Sequence, residues 1–482
     1  MKMEADINKS EQKNSLPFAE GRGGAIYFIG IGGIGMSAIA RYFHSKGAKV
    51  SGYDRAETEL TKGLVAEGIE VHYNEDVERI PKDADIIVYT PAIPKEHKEL
   101  VYYQSNGYKV VKRSDILQLI TASSFNICVA GTHGKTTTTS MIAHLLRDSG
   151  YGCNAFLGGI SANYDTNFWA SEKNVCVIEA DEYDRSFLKL NPDVAVVTAM
   201  DADHLDIYET EENVKQAYKD FAARVKEGGL LLKKFGLDRH MQATRTLAYS
   251  LQNDSADVHA ANIQLHNGGY EFDVVAADNV IDNLQLYMGG MHNVENMTAA
   301  IAVASSLKID NEKIRKAVAS FKGVKRRFEY IIPPSPAGEG QGMRLIFIDD
   351  YAHHPEELKA LINSVKSLFS QKKCTVIFQP HLFTRTRDFA KEFAEVLDMA
   401  HQVILLPIYP ARELPVEGVS ADLILNKMKL DSKAVMEKEE LLHWIENSFS
   451  KNRNREFGEV LVTAGAGDID KLVLPIKEIL VK

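Results

Sequence analysis

The segment with the most chemistry in this sequence is Cys128-Val-Ala-Gly-Thr-His-Gly-Lys-Thr-Thr137. It follows an apolar run and opens a helical stretch from Thr136 to Asp148, the setting a phosphate-binding loop requires. Glycines let the backbone approach a phosphate, and N–H groups at a helix start supply positive potential. Lys135 is then placed for the β- and γ-phosphates and the Thr136 hydroxyl for Mg2+. The usual first glycine of such a loop is replaced by Val129, and Gly131 supplies the earlier glycine instead. A second loop, Gly30-Ile31-Gly32-Gly33-Ile34-Gly35, follows the first apolar run, and Asp54 ends the next one. That is where a ribose-binding acid stands in a dinucleotide fold. The pattern fits a phosphate or diphosphate without identifying its owner, so a dehydrogenase holding NAD(P) stays open at this point.

Acids and a histidine follow the next two apolar runs. Glu179-Ala-Asp-Glu-Tyr-Asp184 follows NVCVI, and Asp201-Ala-Asp-His-Leu-Asp206 follows DVAVVTAM. Carboxylates at strand ends beside a phosphate loop suit a hard divalent cation. A histidine there can add a nitrogen ligand. The plain alternatives are an acidic turn facing solvent and an ordinary polar histidine.

The elements that must position these residues alternate between short β-rich runs and helical stretches, which predicts parallel sheets. The first set contains AIYFIGI, a helix from Met36 to Lys46, KVSGYD and ADIIVYTP. The second begins near Phe125 with FNICVAG, and the third after Arg327 with LIFIDD, CTVIFQP, QVILLPIY and EVLVTAG. The 482 residues accommodate about three domains, with boundaries expected at 1–22 (a disordered tail), 23–120, 121–328 and 329–482. PPSPAGEGQG, between Ile332 and Gly342, reads as an exposed loop tip. The net charge of -10 argues against general nucleic-acid binding. Four scattered cysteines, Cys128, Cys153, Cys176 and Cys374, form no CxxC pair and suggest buried thiols in a reducing cytoplasm. No signal peptide or membrane span is legible.

In order along the chain, GTHGKTTTT, EADEYD, DADHLDIY, HNVENMTAA, FKGVKRRFE, DDYAHHP and QPHLFTRT resemble the motifs of the Mur ligase family, from about residue 24 to the C-terminus. GIGGIGMSAIA, RRFE and DDYAHHP are most similar to the L-alanine-adding branch. The nearest rival branch recycles murein tripeptide. The resemblance implies three α/β domains: a Rossmann-like one for the UDP-sugar, a central P-loop ATPase domain, and a Rossmann-like C-terminal domain for the amino acid. It implies small-molecule substrates (UDP-N-acetylmuramate, ATP and L-alanine), Mg2+, no nucleic-acid or membrane partner, and a monomer or weak homodimer. Gly30, Gly32, Gly33, Gly35, Met36, Ser37 and Asp54 would hold the UDP-sugar. Gly131, Thr132, His133, Gly134, Lys135, Thr136, Thr137, Asn293, Asn296, Arg327, Asp349 and Tyr351 would hold ATP. Thr136, Glu179 and His204 would hold the metal. Tyr351, His353, His381 and Arg385 would line the amino-acid site, and Lys135, Glu179, His204 and His353 would take part in catalysis.

The implied chemistry suits these residue types. A carboxylate oxygen attacks the γ-phosphate of ATP, and the resulting acyl phosphate meets a neutral amine, so a proton acceptor is needed: His204 or His353. Catalysis would depend on positioning, because three domains must close on three substrates. Some Mur ligases also carry a carbamylated metal-binding lysine after DHLD. Here Tyr218 holds that place, and Lys219 is rotated from it by about 100° around a helix.

Overall fold

The computed structural model describes residues 24–481, apart from 202–204, 277–278, 335–344, 412 and 453–456. The predicted N-terminal tail and residues 335–342 of the predicted loop tip lie outside the described residues. Two compact units form. One contains the chain up to Ala261 with 274–282 and 295–320, and the other contains 262–273, 283–294 and 321–482.

The first unit begins with strands β1 (Ala25–Ile29), β2 (Lys49–Tyr53), β3 (Glu70–His72), β4 (Ile86–Tyr89) and β5 (Val110–Lys112), in the order β3-β2-β1-β4-β5. Every pair is parallel. The order reverses between β1 and β4, so the loop after β1 opens at a topological switch point, where such sheets bind ligands. The three-residue edge strands β3 and β5 are too short to leave a periodic signal in the sequence. Helix α1 (Ile34–Ser45) starts from Gly33, which gives it no side-chain cap.

A second sheet contains β6 (Phe125–Ala130), β7 (Asn154–Ser161), β8 (Thr166–Trp169), β9 (Val175–Glu179), β10 (Val194–Val197), β11 (Leu230–Lys234) and β12 (Arg245–Ser250). It continues through β13 (Val258–His266), β14 (Gly269–Ala276) and β15 (Asn279–Leu286). Its order is β8-β7-β9-β6-β10-β11-β12-β13-β14-β15. All six residues of β6 are buried, as an interior parallel strand covered on both faces requires. Strands β9 and β10 flank β6 in parallel. The phosphate loop and the two acidic segments therefore leave neighbouring strands at the same sheet end. Helix α2 (Arg113–Ala122) links the two sheets along the chain. Helix α3 (Lys135–Asp148) follows the phosphate loop and buries Met141, Ile142, Leu145 and Leu146.

The second unit holds a six-stranded sheet of β16 (Glu329–Ile332), β17 (Leu345–Asp350), β18 (Lys373–Phe378), β19 (Gln402–Leu405), β20 (Lys433–Val435) and β21 (Glu459–Ala464). The order is β16-β17-β21-β18-β19-β20. Only the edge pair β16–β17 is antiparallel among the described pairs of this sheet. All four cysteines are free and buried. Among the described residues no helix is long and apolar enough to cross a membrane.

Candidate active site

The phosphate loop is built by close approaches that only glycine permits. Gly131 (φ +143°) lies against Thr198, at the end of β10, and a side chain there would overlap the threonine hydroxyl. Gly134 (φ +81°) lies under Asn296, whose Oδ1 would stand 2.9 Å from an added Cβ. The sequence motif HNxxN is thus brought onto the loop through its second asparagine. Gly134 leaves the start of α3 without a side-chain cap, so first-turn N–H groups are available to an anion.

Lys135 Nζ donates to Gly131 O and to Glu182 Oε1, both at 2.7 Å. Thr136 Oγ1 donates to Glu179 Oε1 at 2.9 Å, and the Gly158 N–H donates to Glu179 Oε2 at 3.1 Å. Burial raises the Glu179 pKa, opposed by the Thr136 hydroxyl and by the Lys135 charge. The hydroxyl and carboxylate oxygens of Thr136 and Glu179 are hard donors of the kind Mg2+ prefers. Among the described residues no group of three or more His, Cys, Asp or Glu is arranged to hold a metal ion; His204 lies outside them. Thr137 and Thr132 are buried, and the Thr132 hydroxyl accepts the Asp201 N–H at 3.1 Å. His133 is exposed, 3.8 Å from Asp201. Glu182 lies in the acidic run after β9, whereas nothing local in the sequence marks Thr198 for the loop.

The first glycine loop is bonded to its own sheet. Gly30 and Ile31 donate N–H groups to Tyr53 O at 2.8 and 2.9 Å. Asp54 accepts the Gly32 N–H at 2.8 Å, and a Cβ on Gly32 would stand 2.7 Å from Asp54 Oδ2 and from Thr61 Cγ2. Gly33 is the residue from which α1 starts, and Gly35 lies in its first turn, against Arg113. Met36 and Ser37 are buried, at 2% and 0% exposed. The first turn of α1 faces the β7–β8 hairpin, where the Asn167 amide donates to Ser37 Oγ (2.9 Å) and Ile34 O (2.6 Å).

In the second unit, the carboxyl end of β17 carries Asp349 and Tyr351. Asp349 is 1% exposed, accepting from Thr463 Oγ1 at 2.6 Å and from Arg326 Nε at 3.1 Å. Burial outweighs these partners and pushes its pKa up to about 6. Each carboxylate oxygen thus has one partner. Tyr351 is partly exposed, with the Arg326 and Arg327 guanidinium carbons 5.2 and 5.7 Å from its ring centre. Asn293 is buried and donates to Gly289 O at 2.6 Å.

His353 Nδ1 lies 3.0 Å from Tyr351 O and 3.2 Å from Glu357. Its ring meets that of His381 edge-on at 5.9 Å, and His381 stacks on Tyr409. Burial lowers both histidine pKa values; the neighbouring Arg385 charge adds to this. Arg385 sits on the short helix Phe383–Asp388. His381 Nδ1 and Arg385 Nη1 are buried without hydrogen-bond partners, which buried polar atoms seldom tolerate. Two such atoms on neighbouring residues suit a polar ligand that satisfies both.

Comparison with known proteins places this geometry. The family model described as Mur ligase family, catalytic domain, matches residues 25–125. The Mur ligase middle domain matches 129–304, and the Mur ligase, glutamate ligase domain, matches 326–467. The UDP-N-acetylmuramate–L-alanine ligase of Porphyromonas gingivalis W83 is 45% identical, covering 94% of this chain and 98% of its own. That of Cytophaga hutchinsonii is 43% identical over 94% and 96%. The crystal structure of the UDP-N-acetylmuramate–alanine ligase of Thermotoga maritima superposes with a TM-score of 0.76 at 27% identity, covering 95% of this chain and 98% of its own. A murein peptide ligase from Psychrobacter arcticus shares the fold (TM-score 0.63, 20% identity, 95% and 99% covered). The chain belongs to the Mur ligase family and has its three-domain α/β architecture.

Proposed function

We propose that this chain joins L-alanine to the carboxylate of UDP-N-acetylmuramate, with ATP converted to ADP and phosphate, in the building of peptidoglycan precursors. The observation that carries the reading is the pair of uncapped helix starts at glycine loops in one unit. One stands beside Asp54 and the other beside Lys135, Thr136 and Glu179. A ligase activating a sugar nucleotide with ATP needs two phosphate sites, whereas a dehydrogenase needs one. The names carried by relatives at 43–45% identity support the choice of substrates.

The carboxylate oxygen of the sugar attacks the γ-phosphorus, ADP leaves, and an acyl phosphate forms. Lys135 offsets charge on the transferring phosphoryl group. Thr136 and Glu179, with His204, would hold Mg2+, which would neutralise phosphate charge. Asn296, beside Gly134, would hold the nucleotide; Asn293, Arg327 and Tyr351 are further nucleotide-binding candidates. Arg385 grips the L-alanine carboxylate with its planar fork. The neutral amine attacks the acyl carbon, phosphate leaves, and the amine proton passes to a base. His353 fits that role because burial lowers its pKa and so favours the neutral imidazole. We place the domain limits near residues 121 and 328 and the reaction in the cytoplasm, in keeping with four free thiols.

Phosphate release from ATP tests the reading across a panel of UDP-sugars, each paired with L-alanine, glycine, L-serine or the L-alanyl-γ-D-glutamyl-meso-diaminopimelate tripeptide. Release is expected with UDP-N-acetylmuramate and L-alanine. Release with a peptide but not with a free amino acid would move the chain to the recycling branch. Tight NAD(P) binding with no UDP-sugar binding would overturn the reading of the first domain.

A further inference from the structure

Arg113 belongs to none of the motifs of the site, yet it stands against Gly35 of the first glycine loop. It is the first residue of α2, a place where the helix dipole disfavours a cation. Helix stability therefore does not explain the residue. Its guanidinium packs on Gly35 in the first turn of α1, so closely that a Cβ at Gly35 would overlap Nη1. Its Nη2 donates to Asp181 Oδ2 at 3.1 Å, tying the first domain to the acidic segment after β9. Arg113 lines a cleft of about 130 Å³ that runs from Gly35 past Phe156 and Gly158 to Glu179 and Asp181. The cleft thus joins the loop proposed for the diphosphate to the carboxylate proposed for the metal.

The charges in this cleft do not suit an anionic substrate unless Arg113 is redirected. Arg113 is the cation among the lining residues, and Glu179 and Asp181 are both acids. UDP-N-acetylmuramate brings a diphosphate and a carboxylate. The Arg113–Asp181 pair is partly exposed, with side chains 24% and 42% accessible. Pairs of that kind are weakly held and exchange partners readily. A guanidinium also presents several N–H donors in a plane that matches an oxyanion.

We propose that Arg113 is a sugar-nucleotide-binding residue: it exchanges Asp181 for an oxyanion of the substrate, the muramyl carboxylate or the diphosphate, in the cleft between the glycine loop and Glu179. This rests on the proposed function and adds to it a residue that holds an oxyanion of the sugar nucleotide.

Calorimetric titration of the full chain with UDP-N-acetylmuramate and with UDP-N-acetylglucosamine, which lacks the carboxylate, tests the assignment. Arg113→Ala is expected to weaken UDP-N-acetylmuramate at least tenfold, Arg113→Lys by less, and neither is expected to change ATP affinity. An equal loss for UDP-N-acetylglucosamine assigns the oxyanion to the diphosphate. A loss confined to UDP-N-acetylmuramate assigns it to the carboxylate. Asp181→Asn releases Arg113 from its resting partner and should leave sugar-nucleotide affinity unchanged or tighter. If Asp181→Asn loses affinity as Arg113→Ala does, the pair is only a structural tie and the proposal fails. It also fails if wild type binds UDP-N-acetylmuramate and Arg113→Ala binds it equally well. Should the alanine variant not fold, the lysine and asparagine variants decide. A wild-type chain that does not bind UDP-N-acetylmuramate overturns the proposed function, and this assignment with it.

Discussion

Replacing Lys135 with alanine should remove turnover and also destabilise the unliganded protein, and the two effects can be separated. Lys135 Nζ donates to Glu182 Oε1 at 2.7 Å, and the two side chains are 16% and 3% exposed. Removing one partner of a buried ion pair leaves a charge in a poorly solvated place, at a cost of roughly 3–5 kcal/mol. Loss of a preorganised cation at a transferring phosphoryl group lowers kcat by about 10²-fold or more, roughly 3 kcal/mol in the barrier. Lys135→Ala is therefore expected to melt several degrees lower and release almost no phosphate. The double variant Lys135→Ala/Glu182→Gln replaces the buried carboxylate with a neutral amide and should recover most of the lost melting temperature, while its turnover stays lost. Thermal melts without ligand, with phosphate release at saturating ATP, read both arms. A kcat for Lys135→Ala within about threefold of wild type would refute the phosphoryl-transfer role, since a threefold change corresponds to only about 0.7 kcal/mol in the barrier. Recovery of turnover in the double variant would show that Lys135 acts only by supporting Glu182.

Further outcomes follow from the same geometry. Arg385→Lys keeps the charge but loses the planar fork, so KM for L-alanine should rise about tenfold or more while KM for ATP holds; steady-state kinetics with each substrate varied would show equal KM values if Arg385 were only a surface charge. Gly32→Val would press on Asp54 and Thr61 and should abolish UDP-N-acetylmuramate binding while ATP still binds, and calorimetry showing intact sugar-nucleotide binding would contradict this. Tyr218 is buried against Phe187, and Lys219 pairs with Asp238 at 2.7 Å. Activity should accordingly not depend on bicarbonate or CO2, and a carbamate detected by mass spectrometry on any lysine between Asp206 and Arg224 would count against it. Asp349 is raised from 3.8 to about 6 on folding, so its protonated form is favoured in the native state. The stability this confers is complete below about pH 4 and is lost as pH rises through about 6. Asp349→Asn cannot titrate, so its stability relative to wild type should improve between pH 4 and 7 by up to about 3 kcal/mol; a pH-independent difference in denaturant unfolding would exclude the raised value.

The two phosphate loops were legible because their information is local. A glycine turn, a strand before it, a helix after it, and a Lys-Thr pair at the helix start all fall within about a dozen residues, and backbone conformation follows from residue type over that span. The acids at the ends of β9 and β10 were legible for the same reason. Side-chain direction was not. Met36 and Ser37 follow the glycine loop in sequence, but a helix turns about 100° per residue, and Ser37 faces Asn167 of the β7–β8 hairpin. Asp349 sits at a strand end, as its motif suggested, but its carboxylate turned inward to Thr463 and Arg326.

The sequence by itself determined the class of sheet, the positions of the loops, and the presence of Lys135, Thr136 and Glu179 beside one of them. Tertiary structure decided which distant groups complete those loops. Lys135 meets Glu182 across 47 residues, and Arg113 meets Asp181 across 68. Such pairs exist because β9 lies directly beside β6 in the sheet and because α1 docks its first turn on the β7–β8 hairpin. Strand order and helix docking are settled by burying apolar faces over the whole unit, so no local pattern records which polar groups arrive at the same point.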